Sequence, residues 1–163
     1  MTGITDHLGE IHARIARAMA AAKAQGRPTG PVMLVAVSKG HPAAAVQEAM
    51  AAGLSHFGEN YLQEALPKIA AAGRDPVWHF IGRIQSNKTR EIARDFAWVQ
   101  TVTTARIAGR LSAQRPHYGE PLQVCIQLEP VVGDGADRAG CPRAEVPALA
   151  EVIAGLPRLR LRG

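Results

Sequence analysis

Apolar residues recur at Ile4, Leu8, Ile11, Ile15 and Met19, spacings of three and four that draw one stripe along a helix. Gly26-Arg27-Pro28-Thr29-Gly30-Pro31 ends that helix. The most continuous apolar run follows, Val32 to Val37, and predicts a buried first strand. From there the pattern alternates. Pro42 to Ala52 reads as a helix, with proline in its first turn and Gly53 past its end. Residues 55–58 read as a short strand. Residues 61–72 read as a helix stopped by Gly73 and kinked or restarted at Pro67. A strand over Val77 to Ile81 precedes a helix that Ser86 caps and that runs to about Phe96. Residues 97–102 form a strand, and Thr103 caps a helix over 104–113. A strand over 122–128, a Gly/Asp/Pro-rich loop from Pro130 to Pro142, a helix over about 144–154 and a last strand over 158–162 complete the series.

Six strands alternating with helices through short links predict an α/β fold with a parallel sheet. Right-handed crossovers place successive strands side by side. Eight such units close a barrel of roughly 250 residues. The expected architecture is a partial TIM-like (β/α)8 barrel with about six parallel strands, preceded by an N-terminal helix. It is a single domain over 1–163 that is incomplete at its C-terminus. The alternative is a complete open sheet of the flavodoxin type.

Bulk properties narrow the function. The 163 residues carry a formal charge of +5, but their basic residues are scattered. Two Trp, two Tyr and three Phe leave little for base stacking, so a dedicated nucleic-acid surface is disfavoured. Cys125 and Cys141 belong to no metal-ligand cluster, and Cys125 in its apolar run reads as core packing. No signal-peptide pattern opens the chain and no apolar stretch is long enough to cross a bilayer. A cytoplasmic protein without a membrane or nucleic-acid partner is expected.

Candidate chemistry gathers at the strand ends, where barrels keep their active sites. Strand one delivers Ser38 and Lys39, strand two Gly58, Glu59 and Asn60, strand three the stretch Ile81 to Lys88. An amine held at the rim of a core loses solvation, which disfavours its charged form and suits attack on a carbonyl. The plain alternative for Lys39 is a solvated lysine that ends a strand. Alternation puts Val35, Val37 and Lys39 on one face, and sends Trp78 and Phe80 away from His79, which then faces inward. An inward histidine is either a ligand contact or a satisfied core residue. Ser86-Asn87-Lys88 opens a helix and could hold an anion or simply cap it. Glu59 is one carboxylate without an evident partner. There is no triad order, no P-loop and no dinucleotide fingerprint.

Three blocks carry a resemblance: Ala36-Val37-Ser38-Lys39, Phe57-Gly58-Glu59-Asn60-Tyr61-Leu62-Gln63-Glu64, and Trp78-His79-Phe80-Ile81-Gly82-Arg83-Ile84-Gln85-Ser86-Asn87-Lys88. In this order and spacing the chain resembles the YggS/PROSC-type pyridoxal phosphate homeostasis proteins. Leu159 to Gly163 is similar to that family's sixth strand. The resemblance spans the chain and about the first two thirds of a family member. It implies a barrel of the alanine racemase N-terminal type, with Lys39 forming a Schiff base with pyridoxal 5'-phosphate. It also implies Asn60 beside the cofactor, with His79 and Gly82 lining the same mouth. It further implies intracellular cofactor homeostasis without catalytic turnover, in a protein that is monomeric at full length.

The chain departs from the family pattern at Arg83, Thr103, Glu129 and Arg138. In the family the phosphate cradle lies after strand seven, so a full-length protein is expected to bind the cofactor and the 163-residue chain to bind it poorly or not at all. Other readings stay open at this point. One is an amino-acid racemase on the same barrel, and another a cofactor-free lysine aldolase. A third is nucleic-acid binding through Arg158, Arg160 and Arg162, which share a strand face.

Overall fold

A computed structural model describes residues 3–73, 75–130 and 140–163. Six parallel strands form one sheet in chain order: β1 (Ala36–Val37), β2 (His56–Glu59), β3 (Val77–Phe80), β4 (Trp98–Val102), β5 (Leu122–Ile126) and β6 (Leu159–Leu161). The helices are α1 (Ile4–Ala24), α2 (Ala43–Ala51), α3 (Leu62–Ala72), α4 (Thr89–Asp95), α5 (Ala105–Gln114) and α6 (Val146–Ala154). Among the described residues each crossover from β1 to β6 carries one α-helix, as the alternating pattern predicts. The sheet is an arc of a (β/α) barrel in which β1 and β6 pair on one side only.

The core lies between the sheet and the helices α2 to α6. The outer face of the strands supplies Phe57, Trp78, Phe80, Val99, Leu122, Val124 and Leu159, all buried. Phe57 and Trp78 rings lie 5.5 Å apart, and Phe80 meets Phe96 edge-on at 5.3 Å. The inner face is different. Pairing aligns Val37 with Gly58, Gly58 with His79, His79 with Trp98, Trp98 with Gln123, and Gln123 with Arg160. One row across the inner face is therefore mostly polar or aromatic, and His79 sits in it as alternation predicts.

Several expectations need correction. Regular pairing in β1 covers Ala36–Val37 alone, and Val32 and Met33 at the start of the predicted run are 56% and 55% exposed. On α1 only Leu8 of the predicted stripe is buried, while Ile11 is exposed. Pro67 does not break α3, which runs unbroken from Leu62 to Ala72. Its missing N–H leaves only the carbonyl of residue 63 without a helical donor, on the exposed side. The cap of α5 is Thr104 rather than Thr103, with the Ile107 amide donating to its hydroxyl at 3.3 Å. A 3-10 turn, Ser86–Lys88, leads into α4 without a side-chain cap. The buried cysteine is Cys141. Cys125 is half-buried on the inner face, since its neighbour Val124 takes the outer one. Most of the predicted Pro130–Pro142 loop, Arg138 included, lies outside the described residues.

Candidate functional site

The rim formed by the C-terminal ends of β1, β2 and β3 begins with a tight turn. The His41 amide donates to the Ser38 carbonyl at 3.1 Å, closing the turn Ser38-Lys39-Gly40-His41. Gly40 occupies its third position at φ +73, where a side chain would be strained. Lys39 is exposed, contrary to the burial that its place after an apolar run predicts. The burial falls one residue earlier, on Ser38.

Beneath the turn lies a buried polar cluster. Ser38 Oγ donates to Glu59 Oε1 at 2.6 Å. Lys68 Nζ pairs with the same oxygen at 2.7 Å and donates to the Ser38 carbonyl at 2.7 Å. Glu59 is fully buried, and its side chain points outward into the sheet–helix layer, away from the mouth. Its second oxygen, Oε2, has no hydrogen-bond partner among the described residues. Glu59 is therefore a structural anion and not the acid–base group that its position at a strand end suggests. Neither Lys68 nor Glu64 stands out in the residue pattern. Glu64 Oε2 accepts from the Gly40 amide at 3.1 Å.

Neighbouring strands complete the rim. The Ser38 amide donates to the Gly58 carbonyl and the Ile81 amide to the Glu59 carbonyl, so the ladders extend to the positions beside Lys39 and Asn60. The Asn60 amide oxygen, Oδ1, is buried without a hydrogen-bond partner among the described residues. Gly82 lies against the Asn60 backbone so closely that a Cβ would sit 2.0 Å from the Asn60 carbonyl oxygen. Thr101 Oγ1 donates to the Gly82 carbonyl at 2.6 Å. A cleft of about 580 Å³ opens between the β2 and β3 ends, lined by Asn60, Tyr61, Arg83, Ser86 and Lys88 among others. Lys39 lies outside it.

His79 is buried on the inner face and stacks on Trp98 at 5.3 Å. Gln100 Nε2 can only donate, so His79 Nδ1 accepts from it at 3.0 Å. His79 Nε2 therefore carries the proton and donates to His56 Nδ1 at 2.9 Å. Burial, and then the neighbouring His56 ring, lower the His79 pKa to about 4. Both ring nitrogens are engaged, and the lowered pKa leaves the histidine neutral at pH 7. Among the described residues no group of three His, Cys, Asp or Glu side chains is placed to hold a metal ion. None of the described helices is long and apolar enough to cross a membrane.

Residues 7–163 match the family model described as alanine racemase, N-terminal domain. A pyridoxal phosphate homeostasis protein of Pseudomonas aeruginosa is 53% identical over 164 residues, which cover 100% of this chain and 69% of that protein. The protein of the same description from Escherichia coli K12 is 43% identical, with coverage of 100% and 69%. Among solved structures, PipY of Synechococcus elongatus PCC7942 with PLP bound superposes with a TM-score of 0.72 at 36% identity. The match covers 91% of this chain and 68% of PipY. An alanine racemase from Bacillus anthracis reaches a TM-score of 0.60 at 21% identity, a likeness of fold alone.

Proposed function

This chain belongs to the alanine racemase N-terminal domain family and, within it, to the pyridoxal phosphate homeostasis proteins, and from that premise we propose that it binds pyridoxal 5'-phosphate through Lys39. Its role is to hold and hand on that reactive aldehyde without turning over an amino acid. The observation that carries this reading is the exposed Lys39 amine on a turn whose flanking peptide groups are held by Lys68 and Glu64, at the end of β1 next to the β2 end that carries Asn60.

When bound, the cofactor supplies an aldehyde carbon that forms a C=N bond with the amine, the aldehyde oxygen leaving with two amine hydrogens as water. The residues present suit such a group. Lys39 offers an accessible amine. The Asn60 side-chain oxygen supplies an acceptor without a partner among the described residues, and Gly82 lets the β3 end pack directly against the Asn60 backbone. His79, engaged by His56 and Gln100 on the inner face, has no ring nitrogen left to donate to a ligand.

The racemase reading is weaker. Relatives that carry the homeostasis description reach 53% identity, whereas the alanine racemase above stands at 21%. Racemisation also needs a second acid–base group opposite the lysine. Of the two carboxylates that touch the turn, Glu59 is tied to Lys68 on the far side of the strand and Glu64 is taken up by the Gly40 amide.

Mixing the purified chain with pyridoxal phosphate, reducing with borohydride and mapping the labelled peptides tests the proposal. The expected result is a label concentrated on Lys39 and lost in Lys39→Ala. Even labelling of Lys23, Lys39 and Lys88 overturns it. The chain spans 69% of the length of its P. aeruginosa relative, and the resemblance assigns the phosphate cradle to the remainder. Site selectivity is therefore the readout, rather than affinity.

A further inference from the structure

Helix α3 sends two side chains to the Lys39 turn from positions four apart, which stack on one helix face. Glu64 accepts from the Gly40 amide at 3.1 Å, just after Lys39. Lys68 donates to the Ser38 carbonyl at 2.7 Å, just before it. The two peptide groups that flank Lys39 are thus each held by a charged group of opposite sign. Both bonds are charge-assisted, and the Lys68 end is dry. Glu59 holds Lys68 in turn, and Ser38 Oγ closes the cluster on the same carboxylate oxygen. An exposed lysine side chain has many rotamers, and its aim depends on the backbone that carries it.

The geometry points to Glu64 and Lys68 as positioning residues: a two-pronged clamp on the Ser38–Gly40 backbone that aims the Lys39 amine at an incoming aldehyde. This rests on the reading of Lys39 given above. Neither prong touches the amine itself, so neither is catalytic. Lys68 is the fixed prong, because it is buried and its charge is paired with Glu59. Glu64 is the adjustable prong, since it is exposed and its loss leaves no buried charge.

That difference makes Glu64 the test. Glu64→Ala removes the acceptor for the Gly40 amide, and Glu64→Gln keeps an oxygen there. Two readouts are taken on the 163-residue chain: hydrogen exchange of the Gly40 amide without cofactor, and the share of borohydride-fixed pyridoxal phosphate label on Lys39 relative to Lys23 and Lys88. In Glu64→Ala, Gly40 exchange is expected to rise about tenfold, the scale of one charge-assisted hydrogen bond. The preference for Lys39 falls several-fold with it, and the circular dichroism spectrum and melting temperature stay put. Glu64→Gln restores most of both. Faster exchange with unchanged preference overturns the clamp as a positioning device, and unchanged exchange overturns the clamp itself. A wild-type chain with no preference for Lys39 sinks the Lys39 reading, and the positioning role with it. A preference that survives only in wild type and Glu64→Gln separates the two.

Discussion

Lys68 Nζ lies 2.7 Å from the Ser38 carbonyl oxygen, so a buried ammonium from helix α3 holds the peptide that leads into Lys39. Its charge is balanced by Glu59 at 2.7 Å, and both side chains are almost fully buried. Removing one partner of such a pair strands the other charge in a dry layer, while removing both does not. Lys68→Met is therefore expected to destabilise the chain by about 3–5 kcal/mol. The double variant Lys68→Met with Glu59→Gln recovers a large part of that loss. Urea denaturation of the three chains checks this. Equal instability of the single and double variants would show that the pair is not the unit that matters.

Gly82 makes a second test of the rim. A methyl group there would lie 2.0 Å from the Asn60 carbonyl oxygen and 2.8 Å from its Cα, both backbone atoms that cannot swing aside. The Thr101 hydroxyl also pins the Gly82 carbonyl at 2.6 Å. Gly82→Ala should cost about 3 kcal/mol or more, at the upper end of overpacking penalties. Gly109, inside α5, has nothing within 4 Å of its would-be Cβ. Gly109→Ala should instead stabilise by about 0.5–1 kcal/mol. Opposite signs in thermal melts support the close approach of β2 and β3. Two changes of the same sign contradict it.

Much of this architecture was legible in the residue pattern. Strand–helix alternation located all six strands to within a few residues, since each outer face needs apolar side chains against a helix. It overran at β1 because an apolar run reports a capacity for burial and not the presence of neighbours. Val32 and Met33 have the composition of a core strand and none of its packing. The place of Lys39 after an apolar run predicts burial, and the structure puts that burial one residue earlier, on Ser38. Lys68 was invisible for a general reason. A lysine four residues after a glutamate on a helix reads as a solvated pair. Only the fold brings it beneath a strand that lies 30 residues earlier. The usable hint was Glu59, a carboxylate flanked by Gly58 and Asn60 on a short buried strand, which called for a cation.

His79 predicts a pH dependence with a definite sign. Its pKa falls from the ordinary 6.5 to about 4, chiefly through burial and then through His56. The unfolded chain binds the extra proton between these values, so stability is complete above pH 6.5 and is lost as pH falls toward 4. Between pH 7 and pH 5 this group should cost about 2 kcal/mol. Denaturation curves at the two pH values, taken for the native chain and for His79→Gln, isolate the contribution. A variant that loses as much stability as the native chain over that interval would remove His79 as the source.

Lys39 separates function from architecture. Its side chain is exposed, and no hydrogen bond of the turn uses its amine: the contacts run through the Ser38 carbonyl, the Gly40 amide and the His41 amide. Lys39→Ala should therefore leave stability within about 0.5 kcal/mol of the native chain, as expected for a surface site. The same change should abolish the selective, borohydride-fixable label from pyridoxal phosphate. Lys88, which also sits at this rim but in the cleft between β2 and β3, provides the control. Lys88→Ala should keep the label on Lys39 and remove only its own background share. A Lys39→Ala chain that still takes a single, saturable label at Lys88 would move the reactive amine from the β1 turn to that cleft.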